Sequence, residues 1–149
     1  MRTTSHRDTL KGLLLFLTLI LITFSCKKSD CFKTPKQAIF ELVDTNGENV
    51  IGNGTLNFSY IVIYEDEGNG TSIGMHDKLT EDNKIAIEEL GWYNGTKNYK
   101  FFTPDTTFTF SVNSSKIDSS GCNSFRINDI NFTNITGIKE NDFYKIIVK

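Results

Sequence analysis

The sequence predicts an all-β protein, an antiparallel two-sheet β-sandwich of about seven or eight strands joined by tight turns. Three observations carry that expectation. Short runs rich in Phe, Tyr, Ile, Val and Thr recur along the chain, and those side chains fit a pleated, half-buried surface. Four Asn-Gly pairs, Asn46-Gly47, Asn53-Gly54, Asn69-Gly70 and Asn94-Gly95, punctuate the runs, and Asn-Gly tolerates the positive φ angles of a type I′ hairpin turn. Finally, TFTFSV alternates with period two, setting Phe108, Phe110 and Val112 against Thr107, Thr109 and Ser111. No heptad or 3.6-residue stripe competes with this pattern.

The first element is not part of the sandwich. Arg2, Arg7 and Lys11 precede the apolar run LLLFLTLILITF, Leu13 to Phe24, which is the layout of an export signal. The run falls short of the roughly 20 apolar residues that a membrane-spanning helix needs.

Strands are expected at 38–43 (AIFELV), 57–64 (NFSYIVIY), 71–77 (TSIGMHD), 84–90 (KIAIEEL), 98–103 (NYKFFT), 106–112 (TTFTFSV), 124–130 (SFRINDI) and 143–149 (FYKIIVK). Ile85 with Ile87, Phe125 with Ile127, and Tyr144 with Ile146 and Val148 offer further inward sets. The stretch from Phe58 to Tyr64 is apolar on both faces, which predicts a central strand covered on each side.

At the end of the apolar run, Thr23-Phe24-Ser25-Cys26 resembles the lipobox of bacterial lipoproteins, in which the cysteine is acylated and becomes the first residue of the mature chain. The looser boxes of Bacteroidetes lipoproteins are similar to Ser25-Cys26-Lys27-Lys28-Ser29-Asp30. The resemblance implies a signal peptide over 1–25, lipid on Cys26, a polar tether over 26–36 that includes Pro35, and one domain over 37–149. An ordinary cleaved signal is the alternative. Two or three acyl chains, each CH2 contributing roughly 0.8 kcal/mol on burial, hold a protein on a bilayer firmly. The implied address is a bacterial outer membrane, with the periplasmic and the surface face both open because lysines rather than acids follow Cys26.

Three cysteines in an exported chain leave one odd. Acylation of Cys26 would leave Cys31 and Cys122 as a pair in an oxidising compartment. A bridge between them would close a loop of about 90 residues, for which chain entropy gives about 4 to 5 kcal/mol. A Cys26–Cys31 bridge and unpaired thiols stay open as alternatives.

The phrase FELVDTNGENVIGNGTL, Phe40 to Leu56, together with the late cysteine and the terminal YKIIVK, resembles small Bacteroidetes envelope lipoproteins with transthyretin-like or immunoglobulin-like sandwiches. A lipocalin-like barrel is the alternative fold. The Gly-x-Trp near the first strand that marks lipocalins is missing, and the single tryptophan, Trp92, lies mid-chain.

Catalytic inventory is thin, and no enzyme activity, cofactor or metal is expected. Beyond the signal, His76 is the one histidine, beside Asp77, and reads as a strand-end or turn residue. Glu65, Asp66, Glu67, Glu88 and Glu89 have the residue type for carboxylate chemistry, but YEDEGNG reads as a solvated hairpin tip, with Ca2+ binding helped by Asn69 or Asp77 as the sharper reading. Asp44-Thr45-Asn46-Gly47-Glu48 reads as a turn. Trp92 and Tyr93 in GWYNG are core corners or, with Glu65, Asp66 and Glu67, binding loops. Seven Asn-x-Ser/Thr sequons, at Asn53, Asn57, Asn69, Asn94, Asn113, Asn131 and Asn134, follow from composition. Asp105-Thr106-Thr107 is similar to the Asp-(Ser/Thr)-x signal for O-glycosylation in exported Bacteroidetes proteins and makes Thr106 a candidate glycan site.

Residues 26–149 carry 13 Lys and Arg against 17 Asp and Glu. With no basic stripe, nucleic acid is not an expected partner. The expected function is a lipid-anchored, non-enzymatic binding module of the cell envelope, meeting a protein or glycan through its loops. A structural or accessory subunit of an envelope complex is one alternative. A small apolar-ligand carrier, which needs a barrel, is the other.

Overall fold

A computed structural model describes residues 35–119 and 122–148, with side chains placed except at 118, 119, 122 and 123. Ten strands form two five-stranded sheets that are not closed into a barrel. Sheet I has the order β3-β2-β6-β7-β8 and sheet II the order β4-β5-β1-β10-β9. The strands are β1 (Ala38–Val43), β2 (Val62–Gly68), β3 (Thr71–Gly74), β4 (Asp77–Leu79), β5 (Ile85–Ile87), β6 (Gly95–Phe102), β7 (Thr107–Ser119), β8 (Cys122–Thr133), β9 (Thr136–Glu140) and β10 (Phe143–Ile147). All pairings are antiparallel except that of β1 with β10, which brings the first and last strands side by side. The all-β sandwich expected from the sequence is therefore the observed architecture, and the barrel alternative is set aside, with it the condition on which a carrier role rested.

The core is an aromatic layer between the sheets, built by period-two alternation. Tyr99 and Phe101 on β6, with Phe108, Phe110 and Val112 on β7, are each at most 2% exposed. Across the gap, Phe40 from β1 meets Phe110 edge-on at 5.3 Å and Phe132 at 5.6 Å between ring centroids. Phe101 stacks on Phe108 at 4.7 Å. Each such side chain contributes about 1.5–3 kcal/mol by leaving water. The inward sets Ile85 with Ile87, and Ile146 with Val148, are buried, and Tyr144 is half-buried against the same layer.

Three expectations are corrected. The stretch 57–64 is not one strand covered on both faces. Asn57 caps a 3-10 turn over Phe58–Tyr60 by accepting the Ser59 N–H, and β2 begins after it. Ile61 and Ile63 are buried while Tyr60 and Val62 are 63% and 39% exposed, because sheet I has one solvent face. The stretch 71–77 divides: β3 belongs to sheet I, and after Met75 and His76 the chain forms β4 in sheet II. The run 84–90 shortens to β5. Strand β9 was not anticipated; TGIKE is an edge strand whose side chains are all at least partly exposed, so it has no apolar alternation.

Of the Asn-Gly pairs, Asn69-Gly70 makes the expected two-residue turn, with φ of 52° and 80°. At Asn46-Gly47, Asn53-Gly54 and Asn94-Gly95 the glycine alone has positive φ.

Pairing registers give the sandwich two poles. At one, residues 35–37 lead into β1, and the β2–β3 turn and the loop from Glu88 to Asn94 lie nearby. At the other, β1 gives way to the Asp44–Leu56 loop, β6 turns into β7 through Thr103–Thr106, and β8 crosses to β9 at Asn134 and Ile135.

Candidate functional site

The pole remote from Pro35 carries a groove of about 600 Å3, against about 240 Å3 for the one beside Trp92. Asp105, Thr106 and Thr107 form one wall, Asn134 and Thr136 another, and Ile135 with Ile147 supply apolar surface. A smaller hollow of about 100 Å3, reached by Asp44 and Thr55, lies on the other side of the same β6–β7 loop. No lysine or arginine lines either one.

Local hydrogen bonds fix the three segments that meet there. Thr103 N–H donates to the Thr106 carbonyl at 2.8 Å, and Thr106 N–H donates back to Thr103 Oγ1 at 2.9 Å, so the loop presents Asp105 at an exposed tip. Asn134 takes φ of 64°, a left-handed conformation that Asn tolerates and that a sharp change of sheet requires. Asp44 Oδ1 accepts the N–H groups of Asn46 at 2.8 Å and Glu48 at 2.9 Å. These bonds, the Glu48 N–H foremost, hold its carboxyl below the usual range. Asp44–Glu48 is thus the turn expected from sequence.

The sequence-selected loop residues sit at the other pole, and Glu65 and Asp66 are engaged with the protein itself. Glu65, with a side chain 12% exposed, pairs with Lys97, and Asp66 pairs with Lys100 at 3.0 Å. Adjacent on β2, they point to opposite faces of the sheet. Lys100 lowers the Asp66 pKa first, with help from the Gly68 N–H. Glu67 is exposed. Among the described residues no three His, Cys, Asp or Glu side chains gather as a metal ion would need.

Tyr93 donates its hydroxyl to the Val112 carbonyl at 2.9 Å and lies under Lys97, 4.9 Å from ring centroid to Nζ. It is a corner of the core, and burial raises its pKa. Tyr99 is 1% exposed, and its hydroxyl makes no hydrogen bond of normal geometry among the described residues. Burial, with Tyr93 and Glu65 close by, drives its pKa far upward. Trp92 is 37% exposed and shares a shallow groove with Pro35, Gln37, Glu88 and Glu89.

His76 is exposed; its carbonyl accepts the Glu88 N–H at 3.2 Å, and the Glu88 carboxylate pairs with Lys78 at 2.6 Å. Burial raises the pKa of neighbouring Asp77. Cys26 and Cys31 lie outside the described residues, and Cys122 is described for its backbone in β8 alone. Among the described residues no helix is long and apolar enough to cross a membrane.

No family model, no curated protein and no solved structure matches the chain.

The remote groove joins Thr106, which the sequence pointed to, with Thr107, Asn134 and Thr136, which the sequence marked only as part of the Asp105-Thr106-Thr107 motif and of a sequon ascribed to composition. These residues are scattered hydroxyls and amides in a chain full of them. Their convergence depends on the crossover from β8 to β9 and on β9 itself, the strand that the sequence hid.

Proposed function

We propose that the chain is a small Bacteroidetes-type envelope lipoprotein: exported, lipid-anchored through Cys26, and acting as a non-enzymatic interaction module whose partner meets the pole remote from the anchor. The observation that carries the reading is the polarity of the sandwich. The chain runs into β1 at one pole, and the larger groove opens at the other. An anchor ahead of residue 35 would join the sandwich at the pole opposite that groove. The Thr23-Phe24-Ser25-Cys26 stretch and the short apolar run before it support the anchor.

The Cys31–Cys122 bridge belongs to the same proposal. Lys36 and Ile127 line one small groove, and each cysteine stands five residues from one of them. Cys122 is held in β8, roughly 17 Å along the strand from Ile127, so the bridge requires the five residues from Lys36 back to Cys31, which reach at most about 17 Å when extended, to run toward that end of the strand. Thr106 is proposed as an O-glycan site; it lies on the exposed β6–β7 loop.

Mass spectrometry of the native protein tests the anchor: a diacylated or triacylated N-terminal Cys26 is expected, and an unmodified Cys26 in the membrane fraction would overturn it. A photo-crosslinking residue at Asp105, compared with one at Glu67, tests which pole works. Adducts from Asp105 in intact cells are expected, and adducts from Glu67 alone would reverse the assignment.

A further inference from the structure

The remote groove does not end at its rim. Thr107, part of its wall, is also the first outward residue of β7, and the outward row continues through Thr109, Ser111 and Asn113. On β8 the facing partners are Thr133 opposite Thr109, Asn131 opposite Ser111 and Asp129 opposite Asn113. The outer face of sheet I therefore carries a double row of hydroxyls and amides descending from the groove and ending at the Asp129 carboxylate, which accepts from the Asn131 amide at 2.8 Å, in steps of roughly 6.8 Å along the strands and about 4.8 Å across them.

The lower end of this face is knit together. Asn113 donates to Thr96 Oγ1 at 2.9 Å, Asn128 donates to Asn113 Oδ1 at 2.8 Å, and Ser115 donates to Asn128 Oδ1 at 3.1 Å. At the upper end, the hydroxyls of Thr107, Thr109, Ser111 and Thr133 make no hydrogen bond to another described residue. Each offers one donor and two acceptor positions to an outside partner. Phe102, opposite Thr107 and packed edge-on against Tyr64 at 5.7 Å, flanks the row with aromatic surface.

We propose that the groove and this double row form one binding track for a neutral linear glycan of several sugar residues. The inference rests on the reading of that pole as the working one and names its ligand class. Sugar hydroxyls both donate and accept, as the side chains of the track do, and sugar C–H faces pack on aromatic and aliphatic surface such as Phe102 and Ile135. An anionic chain finds no cation in the groove; along the track it meets the Asp129 carboxylate, and Lys100, opposite Thr109, is paired with Asp66. An extended peptide would pair its main chain with the outer edge of β8, which ends sheet I, and not with the outward side chains of β7, a strand bonded to β6 on one side and β8 on the other. The track is long and open, so the ligand is a chain engaged along its length and not a single enclosed sugar.

The test uses the full-length protein in detergent, titrated with neutral gluco-, manno-, galacto- and xylo-oligosaccharides of two to six residues and with an acidic oligouronate, read by calorimetry and saturation-transfer NMR. At least one neutral series should bind, more tightly as it lengthens. Thr109→Arg and Thr136→Arg should each weaken binding tenfold or more, with Glu89→Arg at the other pole neutral. Absence of binding by every neutral series, preference for the oligouronate, or indifference to both track substitutions would each overturn the proposal. The two readings fail separately. A protein adduct at Asp105 without sugar binding removes the glycan and keeps the anchored module, whereas sugar binding by a chain with unmodified Cys26 removes the anchor and keeps the track.

Discussion

Gly137 on β9 holds the groove by having no side chain, and replacing it gives a sharp prediction. A Cβ at Gly137 would stand 2.3, 2.6 and 2.8 Å from three carbons of the Phe132 ring, far inside van der Waals contact. The ring cannot swing away cheaply. It packs against Phe40 and Tyr144, each at 5.6 Å, Phe110 at 6.0 Å and Phe108 at 6.3 Å. Gly137→Ala therefore forces overpacking, which costs about 1–3 kcal/mol. For a domain of this size that lowers Tm by about 4 °C per kcal/mol, roughly 4–12 °C in all. The control is Gly74→Ala on β3, where an added Cβ meets nothing within 4 Å and φ is not positive. That change should be neutral or stabilising by up to about 1 kcal/mol through the unfolded chain. Thermal denaturation of both variants with the parent is the assay. If Gly137→Ala melts within a degree of Gly74→Ala, the ring is not seated on β9 as described. The effect should extend to the groove, because Asn134, Ile135 and Thr136 lie between Phe132 and Gly137 in the chain. NMR shifts of Asp105 and Thr106 should move in Gly137→Ala and stay in Gly74→Ala.

Tyr93→Phe removes the bond to the Val112 carbonyl and should cost about 1 kcal/mol, while Tyr99→Phe removes an unpartnered buried hydroxyl and should be neutral or stabilising; denaturant midpoints of the two should shift in opposite directions or by clearly unequal amounts. Asp77→Asn should raise Tm at neutral pH, because burial raises the folded-state pKa above its ordinary 3.8 and so penalises the charged form. The penalty is complete above the folded-state pKa and absent below 3.8, so a pH series in which the variant's gain persists unchanged into strong acid would contradict it. Non-reducing peptide mapping should recover Cys31 linked to Cys122, with reduction lowering stability by as much as about 4–5 kcal/mol; a Cys26–Cys31 peptide would reverse the assignment.

Where the sequence was legible, one physical signal was at work: alternation against a buried face. Phe108, Phe110 and Val112, and Ile85 with Ile87, declared their orientation because the opposite sheet excludes water from every second residue. The signal failed where that condition lapsed. β9 is an exposed edge, and 57–64 owes its apolar look to Tyr60 and Val62, which face solvent. The Thr71–Asp77 run reads as one strand in composition, yet Met75 and His76 carry the chain from one sheet to the other. Asn69-Gly70 was readable because two left-handed residues in succession specify one kind of turn. The other three Asn-Gly pairs put a single glycine in that region, and their neighbours decide the rest.

The candidate site was less legible for a different reason. Residue type selected Glu65, Asp66 and Glu67, but charge announces a capacity that the protein can itself consume. Lys97 and Lys100 stand on the neighbouring strand β6, so Glu65 and Asp66 are neutralised by partners that sequence distance conceals. Both pairs are partly buried, and their effect on function is to withdraw carboxylates from outside ligands. Hydroxyls behave in the opposite way. On an outward strand face, the main-chain groups around Thr107, Thr109 and Thr133 are taken up by the ladder, and the hydroxyls stay available in rows set by strand spacing. In a small sandwich the chemistry left over for a partner is thus found less in its charges than in the polar side chains that pairing leaves unspent. Here those gather at the pole remote from residue 35.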